Sequence, residues 1–212
     1  MIWNFNPMLT VFFISAAVSF TLAMLYKILT NQEELKEANE GLKELNKKIK
    51  EAQKNKDQKE LMKLQSQMLE LNSKKMKNTM KPMLGSFIII IPIFVVLFPA
   101  LFGDLTVELD DSMSGVAEFG GVEKEIRVEK EPLSLKIDGK ENPTEEVIEI
   151  GQGSFTFKNF DSDKGKVDFK RVVVEMPFSF PIWGSHIGWL GWYILVSIPL
   201  ATIFRKGLGI VQ

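Results

Sequence analysis

The chain has 212 residues, with 26 Lys and Arg against 27 Asp and Glu, a single His and no Cys, for a formal charge of −1. The absence of cysteine excludes a disulfide framework, a thiolate zinc site and a cysteine nucleophile, and a net charge so close to zero says nothing about a partner. What is informative is the distribution, because three apolar segments alternate with two very polar loops.

The first apolar segment occupies residues 1–29. No charged side chain occurs from Met1 to Tyr26, and Pro7–Leu29 is long enough to span a bilayer with Lys27 snorkelling at its far end. It lacks a basic leading region and a small-residue cleavage site, so the reading is a retained span rather than a processed signal. Residues 30–81 form a polar loop with a helical signature. Leu35, Ala38, Leu42, Leu45, Ile49 and Ala52 follow a 3,4 spacing, predicting one seam of a helix that continues from the first span. After the polar break Lys54–Asp57, the residues Leu61, Leu64, Met68 and Leu71 repeat the spacing, so two helices can fold back as an antiparallel coiled-coil hairpin. Asp57 followed by Glu60 matches a capping-box start.

Where this hairpin returns to the apolar region, Met76, Met80 and Met83 fall at i, i+4 and i+7 among Lys74, Lys75, Lys77 and Lys81. Two readings are open. A flexible methionine surface can accept varied apolar segments while the lysines contact phosphates of lipid or RNA; alternatively, the methionines pack on the other helix and the lysines only set topology.

Residues 82–103 are the second span. Pro82 to Gly103 is uncharged, and its 22 residues, at about 1.5 Å each, match the hydrocarbon thickness. Pro92 and Pro99 would break a strand's ladder but are tolerated in membrane helices. Residues 104–176 read as a small β-rich domain of five or six strands, from the alternation of Leu105, Val107 and Leu109, of Ile126 and Val128, of Leu133, Leu135 and Ile137, of Phe155 and Phe157, and of Val167 and Phe169. Turns are predicted at Asp138-Gly139 and at Ser162–Gly165, and Asp110–Gly121 is read as a flexible excursion. DSDKGK from Asp161 fails as a calcium loop, since Lys166 and Val172 stand where Gly and Glu are needed. Residues 177–186 form an interfacial segment and 187–204 the third span, with Trp183, Trp189, Trp192 and Tyr193 as an aromatic belt at its start. Residues 205–212 are a short tail.

Charge orients this arrangement. Residues 27–81 hold 14 Lys and Arg against 9 Asp and Glu, whereas residues 104–175 hold 10 against 18. Lys27, Lys74, Lys75, Lys77, Lys81, Arg205 and Lys206 all fall on one side of a chain that crosses three times, which makes that side cytoplasmic and leaves the N-terminus and the acidic domain external. The expected location is therefore the cell membrane, as a multi-pass protein with a cytoplasmic C-terminus.

No catalytic constellation is legible. His186 sits among aromatics, with no nearby carboxylate expected to pair with it, and neither a phosphate-binding loop nor a dinucleotide fingerprint occurs. The expectation is a protein that is not an enzyme, with no cofactor and no metal.

This order of segments resembles the minimal core of the YidC/Oxa/Alb membrane-protein insertase superfamily. Glu51–Met76, Met80–Leu84, Val174–Pro181 and Gly188–Ile210 look like its archaeal YidC-like branch, which is similar to the third subunit of the ER membrane protein complex. The resemblance covers the hairpin and the three spans, not securely the acidic domain. It implies a chaperone that captures emerging transmembrane segments and helps them into the bilayer through a polar, lipid-open groove, without nucleotide hydrolysis. The implied partners are nascent membrane proteins and the lipid bilayer, with a ribosome as a further candidate and no DNA. Bacterial members carry an arginine in the first span, and none stands here. The remaining groove candidates are the hydroxyls Ser15, Ser19, Thr21, Ser86, Ser197 and Thr202, each of which could instead bond its own helix backbone. Lys74, Lys75, Met76, Lys77, Met80, Lys81 and Met83 are the candidate contacts for client or ribosome. A membrane-anchored coiled-coil scaffold that recruits cytoplasmic partners is the alternative. A transport role is disfavoured, because no charged residue lies within a span.

Overall fold

A computed structural model describes residues 6–130, 133–142, 146–182 and 184–210; Trp183 of the predicted belt lies outside them. The chain divides into two compact units, Met1–Ser15 with Ile93–Ser197, and Ala16–Pro92 with Ile198–Gln212.

Helix α1 runs over Pro7–Leu29, as the spacing predicts. Asn6 starts it: its side-chain oxygen accepts from the Met8 and Leu9 amides at 3.0 and 3.4 Å, and Pro7 supplies a helical φ where no amide partner is needed. The expectation that the helix continues into the loop is not met. The chain breaks at Thr30-Asn31, and α2 begins afresh at Gln32–Lys54 with Asn31 as its cap, accepting from the Glu34 amide at 3.3 Å. A capping asparagine competes with helix continuation, and here it wins.

Helix α3 runs without interruption over Gln58–Pro92. Asp57 caps it by accepting from the Glu60 amide at 3.0 Å, and Lys56 with φ 56° ends the preceding turn. The α2 and α3 seams face each other, with Leu45, Ala52 and Leu64 buried and Ile49, Leu61, Met68 and Leu71 packed around them. Gly41 allows the arms to close, since a Cβ there would come within 3.0 Å of Leu71 Cδ1. At the open end, Asn78 and Asn31 clamp reciprocally: the Asn31 amide donates to Asn78 Oδ1 at 3.1 Å and Asn78 Nδ2 donates to the Asn31 carbonyl at 3.0 Å. In the same unit Gly85 lies against Leu25 and Leu29, the small-residue contact that lets α1 and α3 approach, and Phe20 meets Phe204 edge-on at 5.5 Å.

Pro92 cannot donate to the helical ladder, and the next residues, Ile93–Leu97, form a π-helical turn before the short helix α4, Phe98–Phe102. Helix α5, Trp189–Gly207, packs its first turns in the first unit, where Trp189 stacks on Phe98 at 4.7 Å and Trp192 donates to the Met8 carbonyl at 3.0 Å. It starts two residues later than the predicted third span, because Ile187 belongs to a strand.

The region after α4 is richer in strands than predicted. Ten are present among the described residues. One four-stranded antiparallel sheet orders β1 (Leu105–Glu108), β8 (Lys166–Val172), β7 (Gly153–Asp161) and β6 (Val147–Ile150). The other orders β2 (Ser114–Phe119), β3 (Val122–Lys130), β4 (Leu133–Ile137) and β5 (Lys140–Asn142). Their inner faces share one core of Val107, Ala117, Ile126, Val128, Leu135, Ile137, Ile148, Ile150, Phe155, Val167 and Phe169, and each large side chain so buried contributes about 1.5–3 kcal/mol relative to exposure. Within Asp110–Gly121 the structure corrects the expectation of a flexible excursion. Asp110 organises a tight turn by accepting from the amides of Ser112 and Ser114 at 2.9 Å each, and β2 then pairs with β3 throughout. The predicted turns are present: Asp138-Gly139 closes β4–β5 with φ of 49° and 77°, and Ser162–Gly165 closes β7–β8. The segment read as interfacial is a separate hairpin of β9 (Val174–Phe180) and β10 (Gly184–Ile187).

Candidate functional site

The residues singled out for chemistry fall into groups with different fates. Among the hydroxyls, Ser15, Thr21 and Thr202 donate to the carbonyls of Val11, Ala17 and Ile198, four residues back, and Ser86 and Ser197 to those of Met83 and Ile194, three back. Their protons are thus spent inside their own helices, leaving oxygen lone pairs as the polar feature. Ser15 and Ser19 are 0 % and 4 % exposed, so neither offers a surface for a client in this arrangement, whereas Thr21 and Thr202 are exposed.

The lysines also separate. Lys75 reaches across the hairpin and donates to Asn39 Oδ1 at 2.7 Å, so it serves the α2–α3 contact. Lys74 and Lys77 border an open groove of about 720 Å3 between the arms, with Glu44, Lys48 and Glu70 on the same walls. Lys81 is exposed beside the buried Pro82.

The methionines answer the question left open by the sequence. Met76, Met80 and Met83 do not pack on α2; they are 60, 47 and 59 % exposed. Met62, Leu69 and Phe87 are exposed too, and at 100° per residue all six lie within a sector of about 60° on α3. The result is an exposed apolar row on one face of one helix, interrupted by the exposed Gln65 between Met62 and Leu69, close-spaced from Met76 to Phe87, and leading into a stretch where Leu84, Ile88 and Ile91 are exposed as well. The seven-residue spacing of Met62, Leu69, Met76 and Met83 is present in the sequence, but the 3,4 seam beside it dominates the pattern and hides Met62 and Leu69.

His186 stands in β10 opposite Glu175 of β9, correcting the expectation that no carboxylate is near it, and its carbonyl accepts from Lys170 at 3.1 Å. Arg171, which sequence reasoning missed, holds the sandwich to the end of α4. Its guanidinium lies over the rings of Phe119 and Phe102 at 4.7 and 5.4 Å and donates to the Leu101 carbonyl, while its amide donates to Asp104 Oδ1 at 3.2 Å. Burial lowers its pKa from the ordinary arginine value. Asp104 also pairs with Lys158 at 2.7 Å, a hydrogen bond that raises the lysine's pKa. Only folding brings these four elements together.

Two helical stretches, Pro7–Leu29 and the continuous Gln58–Phe102, are long and apolar enough to cross a membrane, and only 6 % of the apolar part of the second is buried. Apolar helices that the chain itself does not cover, joined to a folded β domain, are features of an integral membrane protein. The family described as integral membrane protein EMC3/TMCO1-like matches residues 1–109, from the N-terminus through β1, and the chain belongs to that family, part of the Oxa1/YidC/Get1 insertase superfamily. No curated protein and no solved structure matches the chain significantly.

Proposed function

We propose that the protein is a membrane-protein insertase of the archaeal YidC-like kind, an assembly chaperone and not an enzyme, with nascent membrane proteins as clients. The observation that carries this reading is the exposed stripe Met62, Leu69, Met76, Met80, Met83 and Phe87, because it runs along a single helix from the polar loop into a candidate span. A client segment held on its close-spaced part, Met76 to Phe87, can slide toward lipid without leaving apolar contact. Thioether side chains adapt to clients of different shape at little cost in packing. Partition of the client helix into hydrocarbon supplies the driving force, so no nucleotide is needed. The barrier is the client's polar flank, which is costly to desolvate; the exposed oxygens of Thr21 and Thr202 would lower it by accepting hydrogen bonds. In this reading α5 is a third span, its ends marked by Trp189 and by Arg205 with Lys206, the hairpin is cytoplasmic, and the N-terminus and the sandwich are external.

The test is photo-crosslinking in a translating membrane system. Probes at Met76, Met80 and Met83 should capture a short nascent membrane protein, and a probe at Gln67, off the stripe, should capture far less. Replacing the three methionines together by Ser should reduce both adducts and insertion. In intact cells a cysteine at Lys164 should react with an impermeant thiol reagent and one at Asn55 should not. Unchanged insertion in the triple variant with no adducts along the stripe would favour the membrane-anchored scaffold, which needs only soluble partners at the hairpin.

A further inference from the structure

The β9–β10 hairpin stands apart from both sheets of the sandwich, and its composition changes abruptly. Residues 104–175 contain 28 charged side chains, whereas from Met176 to Phe204 there is none except for the single His186. On β9, Met176, Phe178 and Phe180 share one face, and Glu175, Pro177 and Ser179 the other. The Phe178 and Phe180 rings meet at 5.1 Å. Phe178 is 57 % exposed and Ile182, at the turn, is 81 % exposed. An isolated two-stranded hairpin that turns such a face to water gains little stability from its own packing and is marginal.

The level of the hairpin's base within its unit can be read from its neighbours. Val174 and Ile187 are buried there, and only Gly188 separates β10 from α5. Trp189, the first residue of α5, stacks on Phe98, four residues from the end of the candidate span at Phe102. Beside this turn a cavity of about 270 Å3 is lined by Lys170, Arg171 and the Asp104–Lys158 pair together with Trp189 and Leu190. Basic side chains beside a tryptophan where an apolar helix begins correspond to the headgroup level of a bilayer. A hairpin whose longer arm, the seven residues of β9, reaches about 23 Å can therefore lie along that level.

We propose that the β9–β10 hairpin beds its Met176–Phe178 face and the Ile182 turn in the lipid interface, anchoring the sandwich to the bilayer. Lipid is the occupant because the face is uncharged, its exposed side chains are large and apolar, and it is continuous with the apolar start of α5. The inference rests on α5 crossing the membrane.

The absence of native cysteine makes the test direct. Single cysteines at Phe178, Ile182, Lys164 and Ile198 would be spin-labelled in the full chain in phosphatidylcholine/phosphatidylglycerol nanodiscs, and collision with oxygen compared with collision with a water-soluble nickel chelate. Labels at Phe178 and Ile182 should favour oxygen several-fold more than the label at Lys164, in the β7–β8 turn. Nickel access at Phe178 and Ile182 equal to that at Lys164, with Ile198 in lipid, would overturn the anchor alone. Shielding of the hairpin labels from both reagents would mean a protein cover and would overturn it as well. An aqueous Ile198 would remove the third span and the anchor together.

Discussion

Trimming Leu64 to alanine should loosen the α2–α3 hairpin by an amount that follows from its packing. Leu64 is 6 % exposed and meets Leu45 and Ala52 in the buried seam. The change removes three carbons at about 0.8 kcal/mol each, or roughly 2.4 kcal/mol. That lies at the lower end of the range for leucine truncation, because a seam one layer deep can partly collapse onto the gap. At 1.4 kcal/mol per factor of ten, local opening should become about 50 times more frequent. Hydrogen exchange of the full chain in nanodiscs reads this directly: amides around Leu45–Ala52 and Leu61–Leu64 should exchange faster by about that factor, while sandwich amides stay unchanged. Leu69, 71 % exposed on the neighbouring face, is the control, and Leu69→Ala should shift nothing in the hairpin by more than a few-fold. Equal effects of the two variants would refute the reasoning, since they would mean that the seam contributes no more than a solvated leucine does.

Arg171→Leu should lower the stability of the sandwich by about 2 kcal/mol, from the loss of a charge-assisted hydrogen bond and a cation–π contact, read as a lower unfolding midpoint in near-ultraviolet circular dichroism; Arg171→Lys should not restore it, because an ammonium cannot bond Leu101 while lying flat on Phe119. The carboxyls of Glu108, beside Lys166, and Glu129, beside Lys136, are held below their ordinary range mainly by hydrogen bonds from those lysines, and that of Asp110 by hydrogen bonds from Ser112 and Ser114. Groups depressed in the folded state contribute stability above their unfolded values and lose it as pH falls through the folded ones. The sandwich midpoint should therefore hold from neutral pH to about pH 5 and fall below about pH 4, less steeply in Glu108→Gln/Glu129→Gln; a flat profile down to pH 3 would contradict these pairings.

The helices were legible because their causes are local and repetitive. A run of apolar residues bounded by Asn6-Pro7 and Lys27 defines α1 whatever surrounds it, and the 3,4 seams of α2 and α3 follow from the period of the helix itself. The turns at Asp138-Gly139 and Ser162–Gly165 were legible for the same reason, since positive φ within a few residues demands particular side chains. The tertiary structure decided what depends on residues distant in sequence. β1 pairs with β8 across some 60 positions, and β2 is not legible as a strand because the glycines and polar residues of Asp110–Gly121 mask its short Val116–Phe119 run, which owes its place to the Asp110 turn and to pairing with β3. At the break at Thr30-Asn31 a clamp from Asn78, 47 residues away, adds to the local cap, and the site formed by Arg171, Asp104, Phe102 and Phe119 exists only after folding. Exposure was the decisive quantity hidden from the sequence. Periodicity assigns Met76, Met80 and Met83 to one face, but only the packed hairpin, with its seam already filled by Leu45, Ala52 and Leu64, determines that this face is left uncovered.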